Sequence, residues 1–268
     1  LDKITFINIK EASSRAAAVR TGAVDAAFFV TGDATFILDL AKRKSVVKQY
    51  QASKTAWGQW VPNVGKAGSP FKFKNCRLAA AHAMDWNAYN KVRLKGLGSF
   101  SGSVVGKTSI MFTTAGAPKY DVAKAKEYVA LCNADLGAAA PFKLTLYADT
   151  SSQSQKNVKF IGDMLAKAGI TLNSTNIEES AVLVSKIYRG GGNLFDFAEG
   201  TPAEGDAIGY IVPFFLSKAF PSDSKNPMAA TPYGKGYNTV IALGGHGDTT
   251  MDNLFYAAMA DTNKATAK

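Results

Sequence analysis

Residues 98 to 109 read GSFSGSVVGKTS, and the closing Gly106-Lys107-Thr108 has the residue types of a phosphate-binding loop. Such a loop needs G-x-x-x-x-G-K-[ST], because four residues between the glycines let successive backbone N–H groups wrap the phosphates. Ser101 stands where the first glycine belongs, and Gly102 comes one residue late. The flanks disagree as well. A phosphate loop leaves a buried strand and opens a helix, whereas this stretch follows the helical DWNAYNKVRLKG and enters IMFTTAGAP. Gly96, Gly98 and Gly102 miss the dinucleotide spacing by one residue, and a nucleophile elbow over Gly98 to Gly102 would put Phe100 in serine's place. The stretch reads as a loop, and its role depends on the elements around it.

Other groups able to do chemistry are sparse. Of the 2 histidines, His82 sits inside an alanine-rich helical stretch and reads as a packed side chain. His246 and Asp248 in GGHGDTTMD are two residues apart with no third ligand nearby, a poor metal site, and read as loop and helix cap. Glu178 and Glu179 are adjacent, so they diverge and form no acid/base pair. Cys76 and Cys132 each fall on the apolar face of a predicted helix, outside any C-x-x-C spacing, and read as buried free thiols. No cofactor and no metal is expected.

Composition sets the frame. With 268 residues, 47% apolar and 19% charged, the chain has material for two lobes or one large domain and is not a disordered segment. The net charge of +10 raises nucleic acid as a partner, but the basic residues are spread out. Their densest cluster, KRKSVVK at 42 to 48, carries no recognition motif, so a solvated basic surface is expected and no nucleic-acid partner. The apolar run AIGYIVPFFLS is short and broken by Pro213, so it does not span a bilayer. LDKITFINIK reads as a strand, so any signal peptide is expected to have been removed or to lie outside this sequence.

Along the chain, Ser13 or Ser14 is expected to cap a helix that runs through Arg20 and stops at Gly22. VDAAFFV reads as a strand, Asp33 as the cap of a helix through FILDLAKRK, and VVKQYQAS and AWGQWVPNV as extended segments. Cys76, Ala79, Ala80, Ala83 and Met84 recur at helical spacing, and Asp85 caps a next helix carrying Trp86, Tyr89 and Val92. Asp121 caps DVAKAKEYVALC. Phe142, Leu144 and Leu146 alternate with polar neighbours, as in a strand with one covered face. Val158, Ile161, Met164, Leu165 and Ala168 form a helical stripe closed by Gly169. ITLNSTNI, the helix SAVLVSKIYRG and the strand NLFDFAEG follow, and a last helix from about Thr249 carries Met251, Leu254, Phe255 and Ala258 on one face. Alternating helices and strands predict an α/β fold with helices on a mixed sheet.

Several of these segments, in this order, resemble the family 5 solute-binding proteins of ABC importers, which take up peptides, nickel complexes, opines and some sugars. ITFINIKEASSRAAAVRTGAVDAAFF is similar to the family's strand, helix with Arg, Gly-x-Val-Asp, strand segment. WVPNVGKAGSPFKFKNCRLAAAHAMDWNAY resembles its signature stretch through Asn63, Pro70, Phe71, Arg77, Ala79, Ala83 and Asp85. KYDVAKAKEYVAL, LAKAGITLN, NLFDFAEG and MDNLFYAAMADTNKATAK resemble further family segments. Asn75 stands where the family's first signature Arg belongs, and the tryptophan that follows the family's Phe-Asp strand is absent from EGTPAEGDAIGY.

The resemblance implies a type II periplasmic-binding-protein-like lobe, with residues 1–62 a fragment of the first lobe and its crossover and 63–268 the second, ligand-binding lobe. It implies an extracytoplasmic, non-enzymatic binding protein, periplasmic or extracellular and lipid-anchored ahead of this sequence, that hands a peptide or related small solute to ABC permease membrane subunits. A nickel-complex, opine or sugar ligand is the alternative within the family, and a metal-dependent enzyme the alternative outside it. In the resemblance the loop of Ser99, Phe100 and Ser101 borders the cleft, where Phe100 packs on solute or anchors the loop. Trp60 stacks on ligand or packs at the hinge. An aspartate after the Phe-Asp strand grips a ligand amine in peptide-binding relatives. Counting without gaps puts Gly205 there, and one inserted residue puts Asp206 there, unless Asp206 caps the following segment. Glu199 and Glu204 are alternatives on the same segment.

Overall fold

The computed structural model describes residues 2–43, 59–63, 68–98, 100, 102–103, 112–179, 181–182, 196–200 and 249–260. Its strands are β1 (Gln59–Pro62), β2 (Lys143–Asp149), β3 (Thr171–Glu178) and β4 (Phe197–Gly200). They form one sheet in the order β1-β4-β2-β3, with β2 parallel to both neighbours and β1 antiparallel to β4. The mixed sheet expected from the alternating pattern is present.

Seven helices of four or more residues lie among the described residues: α1 (Ala12–Thr21), α2 (Ala34–Ala41), α3 (Lys74–Ala83), α4 (Trp86–Arg93), α5 (Val122–Leu136), α6 (Ser152–Lys167) and α7 (Thr249–Ala260). Three begin on a side chain that satisfies an otherwise unpaired N–H of the first turn. Asp85 accepts from Ala88, Asp121 from Lys124 and Ser151 from Ser154. Asp33 does not cap α2, because its carboxylate instead accepts from Arg15 Nη2 at 2.8 Å. Nor do Ser13 and Ser14 cap α1. The cap position is Glu11, whose side chain makes no capping bond, and the helix ends at Gly22 with φ 72°. α2 stops at Ala41, short of the basic run. On α7 the expected apolar face includes Leu254, which is 67% exposed. VVKQYQAS lies outside the described residues, as does SAVLVSKIYRG apart from Ala181 and Val182.

The core gathers Phe71 and the alanine face of α3, Tyr89 of α4, Ala125 and Val129 of α5, Phe142, the apolar residues of β2, Ile161 and Leu165 of α6, and Phe197 of β4. α3 packs along α5, while α6 lies against β2 and β3. Here β2 departs from the one-faced pattern. Every residue from Leu144 to Ala148 is buried, because the strand sits inside the sheet between β4 and β3 and both its faces are covered. At the edge, β3 is largely exposed.

Two expectations are corrected. Cys76 and Cys132 are not free thiols: they form a disulfide between α3 and α5, with Cα atoms 4.8 Å apart. Both sit on the apolar faces predicted for them, but those faces meet each other. Residues 2–10 and 24–30, expected as strands, carry no helix or strand and join no sheet among the described residues. Strand-forming composition needs a neighbour to pair with, since a strand satisfies its backbone groups only through another strand.

Candidate functional site

Parallel pairing brings the carboxyl ends of β2, β3 and β4 to one edge of the sheet, the position at which open α/β sheets bind ligands. Asp149 ends β2, Glu178 ends β3, and the chain leaving Gly200 of β4 carries Glu204 and Asp206. Those two candidates, together with Ser99 and Ser101, lie outside the described residues.

The edge is built stiffly. Asp149 accepts from Ser151 N at 2.7 Å, Ser154 Oγ accepts from Asp149 N at 3.1 Å, and Gln155 Nε2 donates to Thr150 O at 3.1 Å. The turn from β2 into α6 is thereby fixed at three consecutive residues. Tyr147, one turn of the pleat inward, is buried, and burial together with neighbouring Glu178 pushes its phenol well above the usual range. It remains a neutral hydroxyl at any physiological pH.

Asp196, the second residue of the Phe-Asp pair, holds β4 in register. It is 4% exposed. Its Oδ2 accepts from Thr145 N at 2.8 Å, its N–H donates to Thr145 O at 2.8 Å, and its carbonyl accepts from Asn63 N at 2.8 Å. One residue thus joins the entry of β4 to the middle of β2 and to the residue that follows β1. Asn63 and Asp196 both belong to recognised segments, yet sequence spacing gives no sign that they meet, 133 positions apart by their numbers.

Trp60 of β1 is half-buried and stands opposite Glu199 of β4 in the ladder. Its ring lies 5.3 Å from Phe197, Phe197 lies 5.4 Å from Phe71, and Phe71 lies 6.0 Å from Phe142. The indole is the outer member of an aromatic series that runs into the core.

The glycine- and serine-rich loop after α4 begins at a clamp. Asn90 of α4 donates through Nδ2 to Gly98 O at 2.8 Å and accepts from Gly98 N at 3.0 Å. A Cβ on Gly98 would stand 2.5 Å from Leu94 Cδ1 and 3.1 Å from Asn90 Oδ1, so a larger residue here would make the Leu94 side chain move and would crowd the Asn90 clamp. Phe100 stacks on Trp86 at 5.7 Å with planes 15° apart, yet stays 48% exposed. It anchors the loop and also presents ring surface to its surroundings. On α3, ahead of the loop, His82 is buried against Tyr128, ring over ring at 5.6 Å. Its Nδ1 is 2.7 Å from Lys119 O, so Nδ1 carries the proton and donates. The histidine is a packed fastening, as its place on the helix suggested. Arg77 Nη1 donates to Phe71 O at 2.6 Å and Lys72 O at 3.0 Å, and partial burial lowers its pKa.

Among the described residues no group of three His, Cys, Asp or Glu is placed to hold a metal, and no helix is long and apolar enough to cross a membrane. His246 and Asp248 lie outside those residues.

Known proteins resemble this arrangement over most of its length. The profile of the bacterial extracellular solute-binding proteins, family 5 Middle, matches residues 1–221. The glutathione-binding protein GsiB of Salmonella choleraesuis is 26% identical over 231 residues, covering 84% of this chain and 43% of the relative. DppA from Helicobacter pylori, solved with the peptide STSA, superposes with a TM-score of 0.71 at 20% identity, over 97% of this chain and 46% of that one. MoaA from A. tumefacien R10, solved with mannopinic acid, gives 0.72 at 19% identity, over 97% and 48%. The chain spans less than half the length of these relatives. The superpositions show the fold: an α/β unit of the type II periplasmic binding proteins.

Proposed function

This chain belongs to the family 5 bacterial extracellular solute-binding proteins, and we propose that within a longer protein it forms one wall and part of the other of a cleft that captures a peptide or related small solute for an ABC importer. The observation that carries the reading is the shared carboxyl edge of β2, β3 and β4, with Glu204 and Asp206 following Gly200 of β4 in the sequence. Residues 1–62 contribute to the first lobe and crossover, and 63–268 to the second. In support, residues 2–43 supply no strand to the sheet.

Asp206 holds the ligand's ammonium, since a desolvated cation needs a charged, hydrogen-bonding partner. Phe100, steadied by Trp86, offers an aromatic face, the loop of Ser99 and Ser101 offers backbone donors, and Trp60, Glu199 and Glu204 line the neighbouring segments. A solute touching both lobes binds the closed state better, and that difference alone drives closure toward the form a permease accepts. The Cys76–Cys132 bridge agrees with an oxidising, extracytoplasmic compartment. A lipid anchor ahead of this sequence would keep the protein beside its permease. The chemistry is capture and release, without conversion of the ligand.

Calorimetric titration with reduced glutathione and with a tetrapeptide, on this chain and on the complete protein, tests the reading. The complete protein is expected to bind at least one probe and return it unaltered by mass spectrometry, while this chain binds it far more weakly. Equal affinities would refute the two-lobe cleft, and a chemically altered probe would point to an enzyme.

A further inference from the structure

We propose that Lys10 is a positioning residue that latches residues 2–43 to the carboxyl edge of the sheet and so biases the cleft toward its closed form. The proposal rests on the two-lobe reading given above. Lys10 Nζ donates to Glu179 Oε1 at 2.6 Å and to Thr150 Oγ1 at 2.9 Å, and Thr150 Oγ1 donates to Glu179 Oε1 at 3.0 Å. Three side chains from three places in the sequence close a ring. Two of them follow the ends of β2 and β3, at the edge where the solute is read.

Both sides of this contact are held by other bonds. On one side Arg15 Nη1 donates to Ile9 O at 3.0 Å and to Lys10 O at 2.6 Å, while its Nη2 pairs with Asp33 at 2.8 Å. The Arg15–Asp33 pair is largely buried, with side-chain exposures of 22% and 5%, so it holds the Lys10 backbone firmly. On the other side Gln155 and the Asp149–Ser151 turn hold Thr150. Long charged side chains lose entropy on pairing, and a fixed backbone at each end reduces what remains to be lost.

The pair itself is open to water, with Lys10 and Glu179 side chains 53% and 57% exposed. Such a contact is weak and reversible, which suits a latch that must open for release. Each partner favours the other's charged form: the hydrogen bond to Glu179 raises the Lys10 pKa, and bonds from Lys10 and Thr150 lower that of Glu179.

The test uses the complete protein without solute, spin-labelled at Asp25→Cys and Lys167→Cys, both exposed; the paired Cys76 and Cys132 do not take label. Pulsed electron resonance then reads the distance between the two labels. Lys10→Glu and Glu179→Lys are each expected to lower the ratio of short to long distances by about two- to five-fold, the range of an exposed ion pair. The double reversal Lys10→Glu/Glu179→Lys is expected to restore it, and salt at about 1 M to erase the differences. Two populations indifferent to the Lys10 charge, or a double reversal without restoration, would overturn the latch and leave the two lobes standing. One narrow distance in every variant and every salt would show a single rigid body, overturning the lobe boundary and the latch together.

Discussion

A buried carboxylate is costly unless its oxygens find donors, and Asp196 finds one in Thr145 N at 2.8 Å. Replacing Asp196 by Ala leaves that buried N–H without its acceptor, at a cost of roughly 1–3 kcal/mol. Asp196→Asn keeps an acceptor oxygen and is expected to lose less. Urea unfolding measures both, and an unchanged midpoint for Asp196→Ala would show that water replaces the carboxylate without penalty. Asp206 predicts the opposite signature. As the grip on a ligand amine, Asp206→Asn in the complete protein should weaken binding of an amine-bearing probe such as a tetrapeptide by about 1.5–3 kcal/mol, the range for a hydrogen bond to a charged group. Its melting temperature should hardly move. A variant that binds normally but melts earlier would make Asp206 a helix cap. Ten positions separate the two aspartates in sequence, and the two measurements tell a residue that fixes where the segment starts from one proposed to act on ligand.

Among the elements, those that were legible in the sequence are the ones whose signal is local. α3 and α6 carry an apolar period, α4 and α5 open on the capping aspartates Asp85 and Asp121, and each appears where that signal puts it. What the sequence does not show is how one element meets another. The alanine face of α3 and the apolar face of α5 were each visible, but their contact, and with it the Cys76–Cys132 bond across 56 positions, appears only when they pack. Strand β2 was read as one-sided because alternation measures composition along a strand and not its place inside a sheet. The site shows the same division. Phe100 was singled out, whereas its support on Trp86 and the Asn90 clamp on Gly98 are tertiary. The bridge makes its own prediction. Cross-linking positions this far apart restricts the unfolded chain, so Cys76→Ala/Cys132→Ala should lower unfolding free energy by roughly 2–4 kcal/mol. Denaturant unfolding of oxidised wild type against the double variant measures it, and coincident curves would mean that α3–α5 packing alone holds the two helices together.

For the whole molecule, what matters is the apolar surface that the sheet does not use. Phe6 is 92% exposed, Phe28 76%, Ile4 63% and Ile7 62%, all on the two irregular segments whose composition is that of strands. Fully burying four such side chains is worth about 6–12 kcal/mol at roughly 1.5–3 kcal/mol each. Association costs about 4–15 kcal/mol in lost freedom. The two ranges overlap, which predicts self-association that is weak and concentration-dependent rather than a tight dimer. Backbone groups in the same segments add a second drive, since segments of strand-like composition outside any sheet can pair edge to edge with those of another copy. Sedimentation velocity of this chain over a range of concentrations should show a reversible shift from monomer to larger species. Phe6→Ser/Phe28→Ser should move that shift to higher concentration. In the complete protein the shift is expected to be absent, the outcome that cover from the longer sequence would give. A sharp monomer for this chain at the highest concentration reached would mean that these side chains find cover within a single copy, and would remove the exposed face as a sign of a missing neighbour.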